Sequence, residues 1–253
     1  MDIREYQAKQ NEIRHPWEQA RLEVIYRLLG NYLPKNGGSI LDVGCGDTFV
    51  VNELHKRLPD TAFFAIDKAF TPELIQKFSS EGIVLANSIE SVQDRIEKAD
   101  IILLMDVIEH IKDEKSFLRE LREMSYVSPD SVFLITVPAY QRLFSAHDEF
   151  LQHYRRYSRK ALKDTLRASG FEIISSGNFF ISLLAPRLGQ VAKERVAGRK
   201  KVAGLADWKG SARQAKLLKE ILLLDFKISS GLQKAGLKLP GLSTYALCRK
   251  SVS

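Results

Sequence analysis

The sequence predicts an α/β fold built on a parallel, doubly wound sheet. Three observations carry this expectation. Short apolar runs alternate with helical patterns along the chain, an order that lays successive strands parallel with helices crossing between them. One of these runs, Ser39 to Val43, passes through the closely spaced Gly44 and Gly46 into a helical pattern from Val50 to Leu58. The next run, Phe63 to Ile66, closes on an acidic residue, Asp67. A strand that turns through glycines into a helix lets a ligand press against bare backbone. A carboxylate at the end of the next strand can accept ribose hydroxyls.

Each element follows from its own signals. Glu5 to Leu33 reads as helical, with Val24, Ile25, Leu28 and Leu29 on one repeating face; Pro34 and Gly37-Gly38 end it. Strands are expected at Ser39–Val43, Ala62–Ile66, Ile83–Ala86, Ile101–Met105, Val132–Val137, Phe171–Ser175 and Ser243–Arg249. A short helix runs from Pro72 to Ser79, capped by Thr71 with proline at its first position. Glu114 to Met124 is the next helix. Arg159 to Ser169 follows, capped by Ser158 and stopped by Gly170.

The segment between Gly177 and Gly241 reads as an insertion before the last strand. No charge occurs from Ile173 through Pro186, a stretch too short to span a bilayer and one in which Pro186 disfavours a helix. Gln214 to Ala235 reads as a helix with Leu217, Leu218, Ile221, Leu222, Leu224, Ile228 and Leu232 on one broad face. Such a stripe is core packing in most proteins; a lid or membrane-surface role is the other reading. The chain thus divides into a helical cover (1–38), a ligand-binding core (39–176), a basic and apolar helical insertion (177–241), and the last strand with its tail (242–253).

The 253 residues, 45% of them hydrophobic, suit one α/β domain with extensions. The two cysteines, Cys45 and Cys248, form neither a metal motif nor a disulfide framework, which fits a reducing cytoplasm. The opening Met-Asp-Ile-Arg-Glu has no apolar leader pattern. Net charge is +7 and the pI about 9.3. Between Ala185 and Glu220, ten basic residues face three acidic ones, so this one segment accounts for the whole imbalance. A local basic region implies an anionic partner; the plainer reading is a solvated face.

The glycine turn also says which ligand it suits. Its spacing is G-x-G without a third glycine, and no Lys-Ser/Thr pair follows, so neither a dinucleotide fingerprint nor a phosphate-gripping loop is present. Asp42 stands before the first glycine, where a phosphate is unwelcome and an amine is held. A ligand with a ribose and a cationic amino-acid end fits.

On these residues, Ile40-Leu-Asp-Val-Gly-Cys-Gly46 resembles motif I of the class I S-adenosylmethionine-dependent methyltransferases, and the likeness extends from about Ser39 to Phe180. It implies a Rossmann-like, seven-stranded, mostly parallel sheet with helices on both faces and an antiparallel last strand that ends the sheet. It implies S-adenosylmethionine as cofactor. Asp67, with Lys68 beside it, matches the position that holds the ribose. Asn87 and Ser88 match the position flanking adenine, although many members carry Asp there. Met105, Asp106 and Val107 match the end of the fourth strand. With Asp42, Gly44, Cys45 and Gly46 they complete the expected donor pocket. Trp17, in Arg14-His-Pro-Trp17, resembles a segment that covers the donor site; an apolar anchor for the first helix is the equal alternative.

A second cluster, His147-Asp-Glu-Phe-Leu-Gln-His153-Tyr-Arg-Arg-Tyr-Ser158, follows the fifth strand and so sits past the carboxyl edge of the sheet, where open α/β folds bind ligands. It resembles a loop of a bacterial subgroup associated with cell-surface saccharide or lipid-linked intermediates. His147, His153 and His110 are candidate proton acceptors, because imidazole titrates near neutrality. Arg155 and Arg156 can grip a carboxylate or phosphate, and Tyr140 and Tyr157 join them as acceptor-binding candidates. The alternative is a polar loop whose Asp148 caps a helix and whose arginines pair on the surface. The spacing of His147, Asp148 and His153 matches no regular metal motif, and no metal is expected.

The expectation is a cytoplasmic methyltransferase acting on a small-molecule or lipid-linked, anionic, saccharide-related acceptor, with peripheral contact at an anionic membrane surface. The alternatives are an RNA-modifying methyltransferase and a non-catalytic S-adenosylmethionine-binding scaffold. Against RNA, the position after the fourth strand reads Met105-Asp-Val-Ile108 and carries no motif for a flipped base.

Overall fold

The structure is a computed structural model that describes residues 2–8, 13–35, 37–197 and 208–251. Its centre is a seven-stranded sheet: β1 (Ser39–Val43), β2 (Ala62–Ile66), β3 (Ile83–Ala86), β4 (Ile101–Met105), β5 (Val132–Pro138), β6 (Phe171–Phe179) and β7 (Ser243–Lys250). The spatial order is β3-β2-β1-β4-β5-β7-β6. β1 pairs in parallel with both β2 and β4, so the order reverses at β1. The crevice at the carboxyl ends of β1 and β4 is therefore the topological switch point, the ligand site of open α/β sheets.

β7 is antiparallel to β5 and to β6, as expected, but it does not end the sheet. It lies between β5 and β6, and β6 forms the edge. β6 also runs to Phe179, beyond the expected Ser175, through an irregularity between Ile173 and Ser175 that keeps it paired with β7.

Both faces of the sheet are covered, which is why its central strands are unbroken apolar runs. Successive side chains point to opposite faces. On one face Leu41, Ile102, Leu104, Ile135 and Val137 pack with Leu118 and Leu121 of α5 (Glu114–Arg122) and Leu162 and Leu166 of α7 (Arg159–Ala168). On the other, Ile40, Phe63, Leu103 and Leu134 meet Ile25 and Leu29 of α2 (Pro16–Leu29) and Val51 and Leu54 of α3 (Phe49–Arg57).

The single helix expected over residues 5–33 is two: α1 (Ile3–Ala8) and α2. Pro16 stands at the first position of α2, where its missing N–H is harmless, and the His15 ring accepts the Trp17 N–H to cap the helix. Pro186 behaves likewise. It lies in the first turn of α8 (Leu184–Ala197) and does not prevent that helix. α4 (Pro72–Phe78) and α6 (Ala146–Phe150) complete the short helices.

α9 (Ala212–Lys234) corrects the expected core stripe. Its buried side is Ala215, Leu222, Phe226 and Ser229. Of these, Leu222 and Phe226 face α2 and the end of β6, in a third cluster with Ala20, Val24, Phe179 and Phe180. Leu217, Ile221, Leu224, Ile228 and Leu232 are exposed, Leu217 at 63% and Leu224 at 57%. The helix is therefore apolar on two sides and packed on one. The basic run 199–201 lies outside the described residues. No described helix is long and apolar enough to cross a membrane.

Candidate active site

The donor side is built at the end of β1. Gly44 and Gly46 have φ of 78° and 59°, and a Cβ at Gly44 would meet Val107 Cγ2 at 2.6 Å. The backbone N–H groups of Gly44 and Cys45 donate to the Ile66 carbonyl at 2.7 and 3.0 Å, which ties the turn to β2. Asp67 ends β2 and accepts the Gly46 N–H on Oδ2 and the Ala69 N–H on Oδ1, both at 2.9 Å. Beneath the turn, Asp42 is fully buried, and neither carboxylate oxygen has a hydrogen-bond partner among the described residues. Burial pushes its carboxyl up to about 7, and the Asp67 charge acts in the same direction. Beyond Asp67, Phe70, Ile75, Leu85, Ala86, Asn87 and Val92 line a hollow of about 280 Å³.

α1 reaches across these strand ends. Tyr6 stacks edge-on against Phe78 of α4, and Ile3 is buried in the cluster that holds Cys45 and Phe70. Arg4 donates to the Leu151 carbonyl and to Gln152 Oε1 after α6. Glu5 Oε1 lies 3.5 Å from His147 Nε2.

The other side of the crevice follows β4 and β5. Arg21 of α2 pairs with Asp106 Oδ2 at 2.5 Å and donates to Thr136 Oγ1 at 2.6 Å. Glu109 and His110 follow in a 3₁₀ turn. Glu109 is fully buried with neither oxygen hydrogen-bonded among the described residues. Burial, with Asp106 nearby, holds its pKa well above the usual range. The His110 and His153 rings meet edge to face at 4.5 Å. Burial, reinforced by His153, lowers His110 to about 4.

Asp148 organises this wall. Its Oδ1 accepts from His153 Nδ1 at 2.9 Å and Arg156 Nε at 2.7 Å, and its Oδ2 accepts from Arg187 Nη2 at 3.0 Å and the Ser145 N–H at 2.9 Å. Burial alone would raise its pKa, but bonding to His153 and Arg156 holds it well below the usual carboxylate range. Burial lowers His147 to about 4, with Arg187 acting in the same direction.

Residues 13–176 match the family described as Methyltransferase domain. The chain belongs to that family. The fold of this methyltransferase is shared by solved structures at low identity. One is a SAM-dependent methyltransferase from Archaeoglobus fulgidus, 21% identical, covering 92% of this chain and 97% of that one, with a TM-score of 0.50. Another is the Burkholderia thailandensis 1,6-didemethyltoxoflavin-N1-methyltransferase with bound S-adenosylhomocysteine. It is 17% identical, with 94% and 79% covered and a TM-score of 0.51. A third is the plantazolicin methyltransferase BamL in complex with a triazolic desmethylPZN analog and SAH, 18% identical, with 93% and 86% covered and a TM-score of 0.56. No curated protein sequence matches the chain.

S-adenosylmethionine is the cofactor that the β1 motif implies for this methyltransferase, and the donor side fits it. Asp42 is an orphaned buried acceptor, the Gly44 cradle leaves room that a Cβ would fill, and Asp67 closes β2 beside that turn. Met105 and Val107 are half-buried at the β4 end, and Asp106 there is already paired with Arg21. Asn87 and Lys68 are exposed, and Ser88 is half-buried. Cys45 is buried, its thiol pushed up by burial, and acts as a packing group. Trp17 packs against the third cluster with Arg21 over its ring.

The acceptor candidates lie past the end of β5 and on the loop after α6. Arg155 is bonded to Glu114 and the Lys112 carbonyl. Arg156 is buried on Asp148 and the Ala139 carbonyl. Both guanidinium groups pin the loop after α6. Tyr157 is buried at 3% in the sheet core. Tyr140 remains half-buried at the rim. Missed in the sequence were Glu5, Arg21 and Glu109; the only local hint was that Glu109 sits beside His110 in the β4 motif.

Proposed function

We propose that this methyltransferase modifies a small-molecule or lipid-linked acceptor, anionic and saccharide-related, that enters over Glu109, His110 and His153. The observation that carries this reading is the polar wall on the β4–β5 side of the switch point, opposite the Asp42 and Asp67 side. The bound donor supplies an electrophilic methyl group on a sulfonium. The chain's residues then have to hold two partners in line, and alignment of this kind can be worth about 7–11 kcal/mol.

Asp42 and Asp67 fix the amino-acid and ribose ends of the donor, and α1 excludes water above them. Proton removal from the acceptor belongs to the opposite wall. There Asp148, which can only accept, fixes the proton of His153 on Nδ1 and leaves Nε2 with its lone pair when the ring is neutral. His147 fits that task less well, because it is turned toward Glu5 and its basicity is depressed.

The anionic character of the acceptor is now supported by the basic insertion and not by Arg155 and Arg156. The same insertion supports a cytoplasmic protein that touches the inner face of a membrane. Incubating the protein with methyl-tritiated S-adenosylmethionine and fractionated cell extract tests the reading. Label is expected in polar metabolites or lipids. Label confined to RNA, or no transfer from a donor that binds, would overturn it.

A further inference from the structure

Three side chains on the acceptor wall share a geometry that proton transfer does not require. Glu109, His110 and His153 each offer one ligand atom, and these atoms lie within 4.8 Å of one another. Two imidazoles and a carboxylate are a common ligand set for a divalent cation such as zinc or cobalt, with further positions left open.

Two independent observations point to a ligand among them. First, Glu109 is fully buried, and both its oxygens lack a hydrogen-bond partner among the described residues. A buried carboxylate in that state is costly unless something positive meets it. Second, His153 is oriented from behind. Its Nδ1 donates to Asp148, itself fixed by Arg156 and Arg187. That is how metal-ligating histidines are commonly held, with the second nitrogen turned to the ion. The edge-to-face contact of His110 with His153 brings a second imidazole to the same point.

We propose that Glu109, His110 and His153 form a site for one divalent cation of the zinc or cobalt type at the acceptor side of the methyltransferase. The ligands come from two distant segments, the turn after β4 and the loop after α6, and this is why no spacing motif marks the site. Its placement near Asp106, in the turn after β4, puts the open coordination positions on the wall read as the acceptor side. With the cation bound, the His153 Nε2 lone pair is taken as a ligand, so His153 serves as a base only on the cation-free wall; the acceptor would then carry an oxygen ligand, such as a hydroxyl or carboxylate, beside the atom to be methylated. This last step rests on reading the wall as the acceptor side; the cation site does not.

The test uses full-length protein treated with chelator, titrated with Co²⁺ and followed by visible d–d absorption, with S-adenosylhomocysteine titrated separately. The site predicts saturation at one equivalent, displacement by Zn²⁺, and at least tenfold weaker Co²⁺ binding in both Glu109→Gln and His153→Gln, each checked for folding by thermal melting. If either variant fails to fold, His110→Gln carries the same expectation. Co²⁺ bound equally well by the folded variants, or not bound by the wild type, overturns the proposal. Co²⁺ bound at this site without S-adenosylhomocysteine binding would uphold it and contradict the donor pocket instead.

Discussion

Asp148 shows what a single residue does here. It has no exposed surface, and it balances two buried arginines and a histidine drawn from two segments, the loop after α6 and α8. Replacing it with alanine leaves those partners buried without their counter-charge, a loss of about 3–5 kcal/mol. Thermal melting of Asp148→Ala should fall by roughly 2–4 °C for each kcal/mol; an unchanged midpoint would contradict the ion-pair account. Because its folded pKa is depressed, the stabilisation is complete above the unfolded value of about 4 and is lost as the pH falls below it. Residues whose role is local were legible in the sequence. Gly44, Gly46 and Asp67 act through backbone conformation and neighbours on β1 and β2. Arg155 and Arg156 were not, because their partners, Glu114 and Asp148, are brought to them only by the fold.

At the scale of elements, periodicity finds a helix more readily than it finds the face that helix buries. The five strands β1 to β5 were legible because covered parallel strands are apolar runs between turn signals. α9 was legible as a helix, but its two apolar sides gave one merged stripe, and only contact with α2 and Phe179 chooses between them. Leu222→Ala on the packed side should destabilise by about 2–5 kcal/mol. Leu224→Ser, at 57% exposure, should stay within about 0.5 kcal/mol of wild type in urea unfolding. Equal losses at both positions would mean the outer side is also covered. Proline disfavours a helix only in its interior; Pro186 sits in the first turn of α8, as Pro16 does in α2, where a missing N–H is not needed.

For the whole molecule, charge and exposed apolar surface fall on the same insertion. Exposed Leu217, Leu224 and Ile228 run along α9 with exposed Lys216, Lys227 and Lys234 beside them. The segment that precedes α9 adds Arg199, Lys200 and Lys201. Each basic side chain near an anionic bilayer contributes about 1 kcal/mol. Vesicle sedimentation should therefore show binding to anionic lipid that weakens with salt, and that falls on the order of a hundredfold when all three become serine. Absence of binding at low salt would leave the insertion as a cap on the acceptor side alone.

The account depends above all on the donor pocket at the β1–β4 switch point. Calorimetric titration of S-adenosylhomocysteine into wild type and Asp67→Ala tests it most directly. Removing the carboxylate takes away charge-assisted hydrogen bonds worth about 1.5–3 kcal/mol each, and it frees the Gly46 N–H that Asp67 now holds. The account predicts one site per chain in the wild type and at least tenfold weaker binding in a variant that still melts cooperatively. Equal affinity in the two proteins would contradict it.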